Sequence, residues 1–251
     1  AVVALLEVEG ADGQQAPVPP ADHLPLAQVE QATRFILQRR NADGGFGTYE
    51  RRRGSAILEA INPSEMYGSC MTERSYLECT ASSLRALAAV KARYGQRLGP
   101  ALRHGIDAAL TDGVTLLRRA QRPDGSFPGF WGINFTYGIF HVVTALRAAG
   151  VPATDPALRR AALWLLTKQK ADGGWGEHYT SCLDEKYAEH PQTQVVMTSW
   201  ALLALLEVTP ESPPATDAAI ERAIAWLGAA QEPDGSFPQQ AQNGVFFGTA
   251  M

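Results

Sequence analysis

Cys182-x-Asp184, followed by His190, brings three zinc-binding residue types into one short stretch. Their order and spacing fit no established ligand pattern, so no metal site is expected there. There is no aspartate-rich DDxxD segment to collect magnesium around a pyrophosphate. His104, His141 and His178 have no nucleophile beside them in a recognisable arrangement, and GxSxG, P-loop and GxGxxG patterns are missing. Trp131 stands between two glycines. An indole face is the best aromatic partner for a cation, and Gly129 and Gly132 on either side would let the backbone bring the ring close to a ligand. Core packing is its plainer reading. Cys79, alone in an apolar stretch, reads first as a small buried hydrophobe. Tyr49 reads first as a loop aromatic.

These residues are carried by a repeat. RNADGGF (Arg40–Phe46), QRPDGSF (Gln121–Phe127), QKADGGW (Gln169–Trp175) and QEPDGSF (Gln231–Phe237) share an Asp-Gly turn with an aromatic two places beyond the glycine. Each ends an amphipathic stretch, so the aromatic is expected to fold back onto the helix end. The later three copies hold Gln three residues before the Asp, and the first has Arg40 there. Apolar residues at i, i+3, i+4 spacing predict helices over Tyr76–Tyr94, Leu102–Ala120, Tyr137–Ala149 and Val195–Val208. Asp155-Pro156 reads as N-cap and first helical residue, and Gly150 as a helix stop. Strand alternation is essentially absent. Two helices per unit with a capped turn suggest concentric helices, an all-α α/α barrel or toroid, in which the turns are structural. Trp164, Trp200 and Trp226 lie on helical stripes and read as core, and Trp175 as part of its turn.

The chain has 251 residues, 45% hydrophobic and 19% charged, with net charge −4. That is enough to bury a core, and the mild acidic excess argues against nucleic acid as a partner. Arg51-Arg52-Arg53 fits a solvated face or a phospholipid contact better. Cys70, Cys79 and Cys182 make no disulfide framework, which fits a reducing compartment. Opening on Ala1 and straight into the apolar Ala1–Val8, the chain reads as a fragment of a longer protein, with residues 1–251 a partial barrel domain.

The repeats resemble the QW motifs of triterpene cyclases, and six further segments sharpen the likeness. GGFGTYERRRG (Gly44–Gly54), NPSEMYG (Asn62–Gly68), SYLECTASSL (Ser75–Leu84), FWGINFTYG (Phe130–Gly138), ADGGWGEHYTSC (Ala171–Cys182) and NGVFFG (Asn243–Gly248) occur in order. The set resembles the C-terminal half of an oxidosqualene cyclase of the lanosterol or cycloartenol synthase type. Asn62-Pro63-Ser64-Glu65 and Glu78-Cys79-Thr80 favour that branch over the squalene–hopene one. The family's proton donor stands in an Asp-Cys-Thr segment, which this chain does not contain.

The resemblance implies conversion of 2,3-oxidosqualene to a polycyclic sterol precursor by acid-initiated cationic cyclisation, without organic cofactor or metal. It implies monotopic attachment to an intracellular membrane, from which the lipid enters. A chain without the acid is expected to be inactive alone. The cavity must stabilise positive charge while offering no nucleophile that would trap it. Cys79 matches the cysteine that hydrogen-bonds the catalytic Asp, and a neutral thiol donating to that carboxylate would increase its acidity. Tyr49, Trp131 and Phe246 match cation-facing rings of the cavity, with Phe247 an adjacent competitor for Phe246. Tyr137 is expected either to line the cavity or to cap a helix. The rival readings are a squalene–hopene-type cyclase, a non-catalytic toroid that binds lipid or a partner, and, last, a zinc-dependent prenyltransferase subunit.

Overall fold

A computed structural model describes residues 24–52, 54–61, 72–208, 214–240, 245–246 and 249–250. The expectations placed on Ala1–Val8, Asn62–Gly68 and Cys70 lie outside them, and for Phe246 only the backbone is described. Eight helices follow one another among the described residues. They are α1 (Leu26–Gln38), α2 (Leu77–Tyr94), α3 (Pro100–Arg119), α4 (Asn134–Ala148), α5 (Pro156–Lys168), the single turn α6 (Thr180–Leu183), α7 (Val195–Leu206) and α8 (Pro214–Ala230). A 3-10 helix spans Ala56–Ile61, and the two-residue strands β1 (Val245–Phe246) and β2 (Thr249–Ala250) form a small antiparallel hairpin. The predicted helices appear within a few residues of their expected ends. Asp155 caps α5, its Oδ1 accepting the Ala157 amide at 2.9 Å, with Pro156 first in the helix. Gly150 ends α4 at φ +86°.

The helices form two layers. α2 packs against α4 and α4 against α7, which makes the inner layer. Outside it run α1, α3, α5 and α8, with α3 against α2 and α8 against α7. This is an all-α arc of an α/α barrel. The core between the layers includes Leu84, Leu87, Ile106, Leu117, Ile139, Leu146, Leu158 and Leu165, all fully buried.

The repeat turns join the layers. In each copy the glycine after the Asp has φ between +86° and +100° (Gly44, Gly125, Gly173, Gly235), a left-handed conformation that glycine adopts without Cβ strain. At the second and third copies the glutamine staples its own turn to the next outer helix. Gln121 Nε2 donates to the Gly125 and Ala157 carbonyls, and Gln169 Nε2 to those of Gly173 and Ala219. Three of the four turn aromatics fold inward as expected, Phe46, Phe127 and Trp175 being buried, while Phe237 of the fourth copy is exposed. The amides of Phe46 and Trp175 donate to Thr80 on α2 and Thr198 on α7, each at 3.0 Å. The first and third turns are thereby tied to an inner helix near its N-terminus. The loop between turn and inner helix is left at that end, and these loops carry Tyr49 and Trp131.

α7 is apolar nearly all round. Met197, Ala201, Leu202, Ala204 and Leu205 are buried, while Val196, Leu203 and Leu206 are exposed at spacings of seven and three, which is one helical face. Trp200 lies on that same face, half-buried and packed against the core. Trp164 is buried, its indole donating to Asp124 Oδ2 at 3.2 Å.

Candidate functional site

Cys79 and Trp131, 52 positions apart in sequence, are joined through one hydroxyl. Trp131 Nε1 donates to Thr48 Oγ1 at 2.8 Å, and the same oxygen lies 3.7 Å from Cys79 Sγ. Cys79 sits in the first turn of α2, half-buried. Burial pushes its thiol up to about 11; the hydrogen bond with Thr48 works against this, while Glu78 and Glu73 add to it. At neutral pH the group is a neutral S–H, able to donate and a poor nucleophile.

Two carboxylates hold the loops that carry the rings. Glu73 accepts the amides of Thr48 (Oε2, 3.0 Å) and Tyr49 (Oε1, 3.1 Å). Glu78, buried on α2, accepts the amides of Phe130 and Trp131 on one oxygen, at 2.7 and 2.6 Å. Backbone amides aimed at a carboxylate make strong charge-assisted bonds, so both loops are fixed in place. Neither Glu73 nor Glu78 was found by reading the sequence. The only signal was an acidic residue at the start of an otherwise apolar helix.

Trp131 is 42% exposed and sits among rings. Its centroid lies 5.1 Å from that of Phe130, edge-on, and 6.0 Å from that of Tyr76. The Arg74 guanidinium lies over Phe130 at 4.8 Å and over Tyr76 at 5.3 Å, so these rings already present a face to positive charge. The glycines beside Trp131 serve a different ring from the one expected. A Cβ at Gly129 or at Gly132 would stand 2.6 or 2.7 Å from ring atoms of Tyr137, so these two positions admit the Tyr137 ring beneath the Trp131 loop. Tyr137, in the first turn of α4, packs against Trp200 (5.1 Å between centroids) and His141 (4.4 Å). It is a packed ring of this face, and α4 has Ile133 at its N-cap, with no side-chain cap bond. Burial raises its hydroxyl above the ordinary tyrosine value, and burial pushes His141 down to about 4, so both are neutral near pH 7.

Tyr49 follows Thr48 directly in sequence and is 77% exposed, outside the ring contacts that join Trp131, Phe130 and Tyr76. The backbone of Phe246 lies in the small hairpin. Cys182 reaches toward the Gly132 carbonyl at 3.9 Å, and burial raises its thiol to about 12. Among the described residues no group of three His, Cys, Asp or Glu side chains is placed to hold a metal ion, and no helix is long and apolar enough to cross a membrane. Together, Thr48, Cys79, Phe130, Trp131, Tyr137 and Trp200 form a face of aromatic rings with a neutral thiol, set at the N-terminal ends of α2 and α4. Such a face can stabilise a cation without capturing it.

Comparison with known proteins bears on the family. Over 229 residues the chain is 38% identical to the lanosterol synthase of Homo sapiens, an alignment covering 90% of this chain and 30% of that protein. It is 37% identical over 230 residues to the cycloartenol synthase of Dictyostelium discoideum, covering 91% and 32%. The chain thus spans about a third of the length of these curated relatives. Among solved structures, a type II terpene cyclase from Scytonema shares the fold, with a TM-score of 0.58 at 22% identity over 88% of this chain and 52% of that one. Residues 20–251 match the squalene-hopene cyclase C-terminal domain, and the chain belongs to that family.

Proposed function

We propose that this chain forms part of the cyclisation site of an oxidosqualene cyclase. The complete protein converts (3S)-2,3-oxidosqualene to a polycyclic sterol precursor of the lanosterol or cycloartenol type. The observation that carries this reading is the meeting of Cys79 and Trp131 at one hydroxyl, within a face of neutral rings. Opening the epoxide calls for a strong carboxylic acid, and the rearrangement that follows calls for a site that solvates cations with π-electrons alone. In this reading Cys79 donates to the acid, and Trp131, Tyr137 and Tyr49 face the migrating charge, with Phe246 as a further ring. Several rings together supply a few kcal/mol, or about two decades of rate. The acid is assigned to a part of the complete protein outside this sequence, because no Asp-Cys-Thr segment occurs here. By itself the chain is therefore expected to be inactive.

The complete protein is proposed to work at an intracellular membrane surface, since its substrate is a lipid. Co-flotation with liposomes tests this, and recovery wholly in the lipid-free fraction would refute it. The function itself is tested by Trp131→Ala in the complete protein supplied with 2,3-oxidosqualene. Partly cyclised or prematurely deprotonated products are expected. An unchanged product profile removes Trp131 from the site, and turnover of squalene alone would assign the protein to the hopene branch.

A further inference from the structure

Thr48 stands where three parts of this site meet. Its amide is held by Glu73 and its side-chain oxygen faces both Trp131 and Cys79. An indole nitrogen has one hydrogen to give and nothing to accept with, so the direction of the bond at 2.8 Å is fixed: Trp131 donates and Thr48 accepts. The threonine keeps its own hydroxyl hydrogen. The sulfur of Cys79, at 3.7 Å, is placed to accept it.

We propose that Thr48 is a positioning residue that passes a hydrogen bond from the Trp131 indole to the Cys79 sulfur, leaving the thiol hydrogen free to be given to the acid. This inference rests on the cyclase reading and deepens it. A sulfur whose lone pair accepts the Thr48 hydroxyl is a weaker nucleophile, which matters where a migrating cation must not be captured. Donors in series also polarise one another, so the S–H becomes a better donor. Glu78 already holds the Trp131 amide, so what depends on Thr48 is the setting of the indole ring. Burial keeps the proton on Cys79 at neutral pH, and the Thr48 bond moderates that effect.

The test uses the complete cyclase carrying Thr48→Val, with Thr48→Ser as the conservative variant. Three quantities are read: the pH midpoint for alkylation of Cys79 by iodoacetamide, located by peptide mapping; the indole N–H resonance of Trp131 in protein labelled with ¹⁵N-tryptophan; and the product profile. Thr48→Val should move the alkylation midpoint to higher pH, slowing alkylation at a fixed pH by roughly three- to tenfold. It should also displace the indole resonance and raise the share of aberrant products, and Thr48→Ser should restore all three. Trp131→Phe, which keeps a ring but loses the N–H, should move the Cys79 midpoint the same way without touching the sulfur. If Thr48→Val leaves both the midpoint and the resonance in place, the relay does not exist. Altered products in Cys79→Ala and Trp131→Ala alongside that result would keep the cyclase reading and discard only the relay. If the midpoint and resonance both move while all three variants make wild-type products, the hydrogen bonds are real but the cyclase reading falls.

Discussion

The third and fourth repeat turns are built alike and end up differently. Both close with the same pair of backbone bonds: Lys170 to Gly174 and Gly173 to Lys170 in the third, Glu232 to Ser236 and Gly235 to Glu232 in the fourth. Both have a glutamine donating to the turn glycine, Gln169 to Gly173 and Gln231 to Gly235, each at 2.8 Å. The third turn then engages its surroundings. Gln169 reaches the Ala219 carbonyl and takes a bond from Arg222, and Trp175 is fully buried with its indole donating to the Leu165 carbonyl at 2.9 Å. Among the described residues the fourth turn has no such outer-helix partner, and Phe237 is 43% exposed. The turn conformation is thus written locally, while its contribution to stability comes from a neighbouring helix. This is how stacked repeats behave: each unit supplies a shape, and the interface supplies the energy.

The strongest way to break the comparison is at the aromatics. Trp175→Ala empties a fully buried site and should destabilise this chain by about 3–5 kcal/mol, whereas Phe237→Ala should cost under about 1 kcal/mol. Denaturant unfolding midpoints of the two variants check this, and equal losses would show that the fourth turn is as engaged as the third. The glycines sharpen it further. Gly173 and Gly235 have the same left-handed backbone, so alanine at either costs about 1–2 kcal/mol in strain. At Gly173 the new Cβ would also stand 2.8 Å from the Arg222 carbonyl oxygen, while at Gly235 the nearest atom is 3.9 Å away. Gly173→Ala should therefore unfold at distinctly lower denaturant than Gly235→Ala, and the gap between them isolates the neighbour's share.

The smallest effect concerns pH, and here the turns should agree. Burial pushes the Asp124 carboxyl of the second turn up, but the Ser126 hydroxyl and amide, the Trp164 indole and the Arg122 charge outweigh it and hold it below the ordinary carboxylate range. In the fourth turn the Ser236 hydroxyl and amide hold Asp234 low in the same way. A depressed carboxylate stabilises the fold above the unfolded pKa of about 3.9, and that contribution is lost as pH falls through the folded value. Both groups are largely exposed, so solvent screens the effect. Asp124→Asn and Asp234→Asn should each slightly flatten the acid limb of a thermal-unfolding profile taken below about pH 4. A steeper limb in either variant would reverse the assigned sign.

The helices and turns were legible because their signals are local: the apolar spacing of α2, α4 and α7, the Asp155-Pro156 start, the Asp-Gly turn and the aromatic after it. The site was legible only in part. Cys79 and Trp131 were named as candidates, but the residues that set their geometry were not. Glu73 and Glu78 act by gripping amides 24 to 53 positions away, and no pattern in a single sequence marks a carboxylate for that task. Thr48 is as opaque, since a hydroxyl beside Tyr49 looks like any loop threonine. Trp200 packs against the core as its stripe implies but is only half covered, because helical periodicity finds an apolar stripe without saying how fully another element covers it. Gly129 and Gly132 were correctly tied to a close approach, but the ring admitted belongs to Tyr137.

The two-sided greasiness of α7 has a practical outcome. A rod that shows Val196, Leu203 and Leu206 to water on one flank, beside a half-open Trp200, offers neighbouring molecules a sticky strip as attractive as the interior it resembles. Preparations of this polypeptide by itself should clump in plain buffer and disperse in mild detergent, and light scattering with and without the surfactant would register the change.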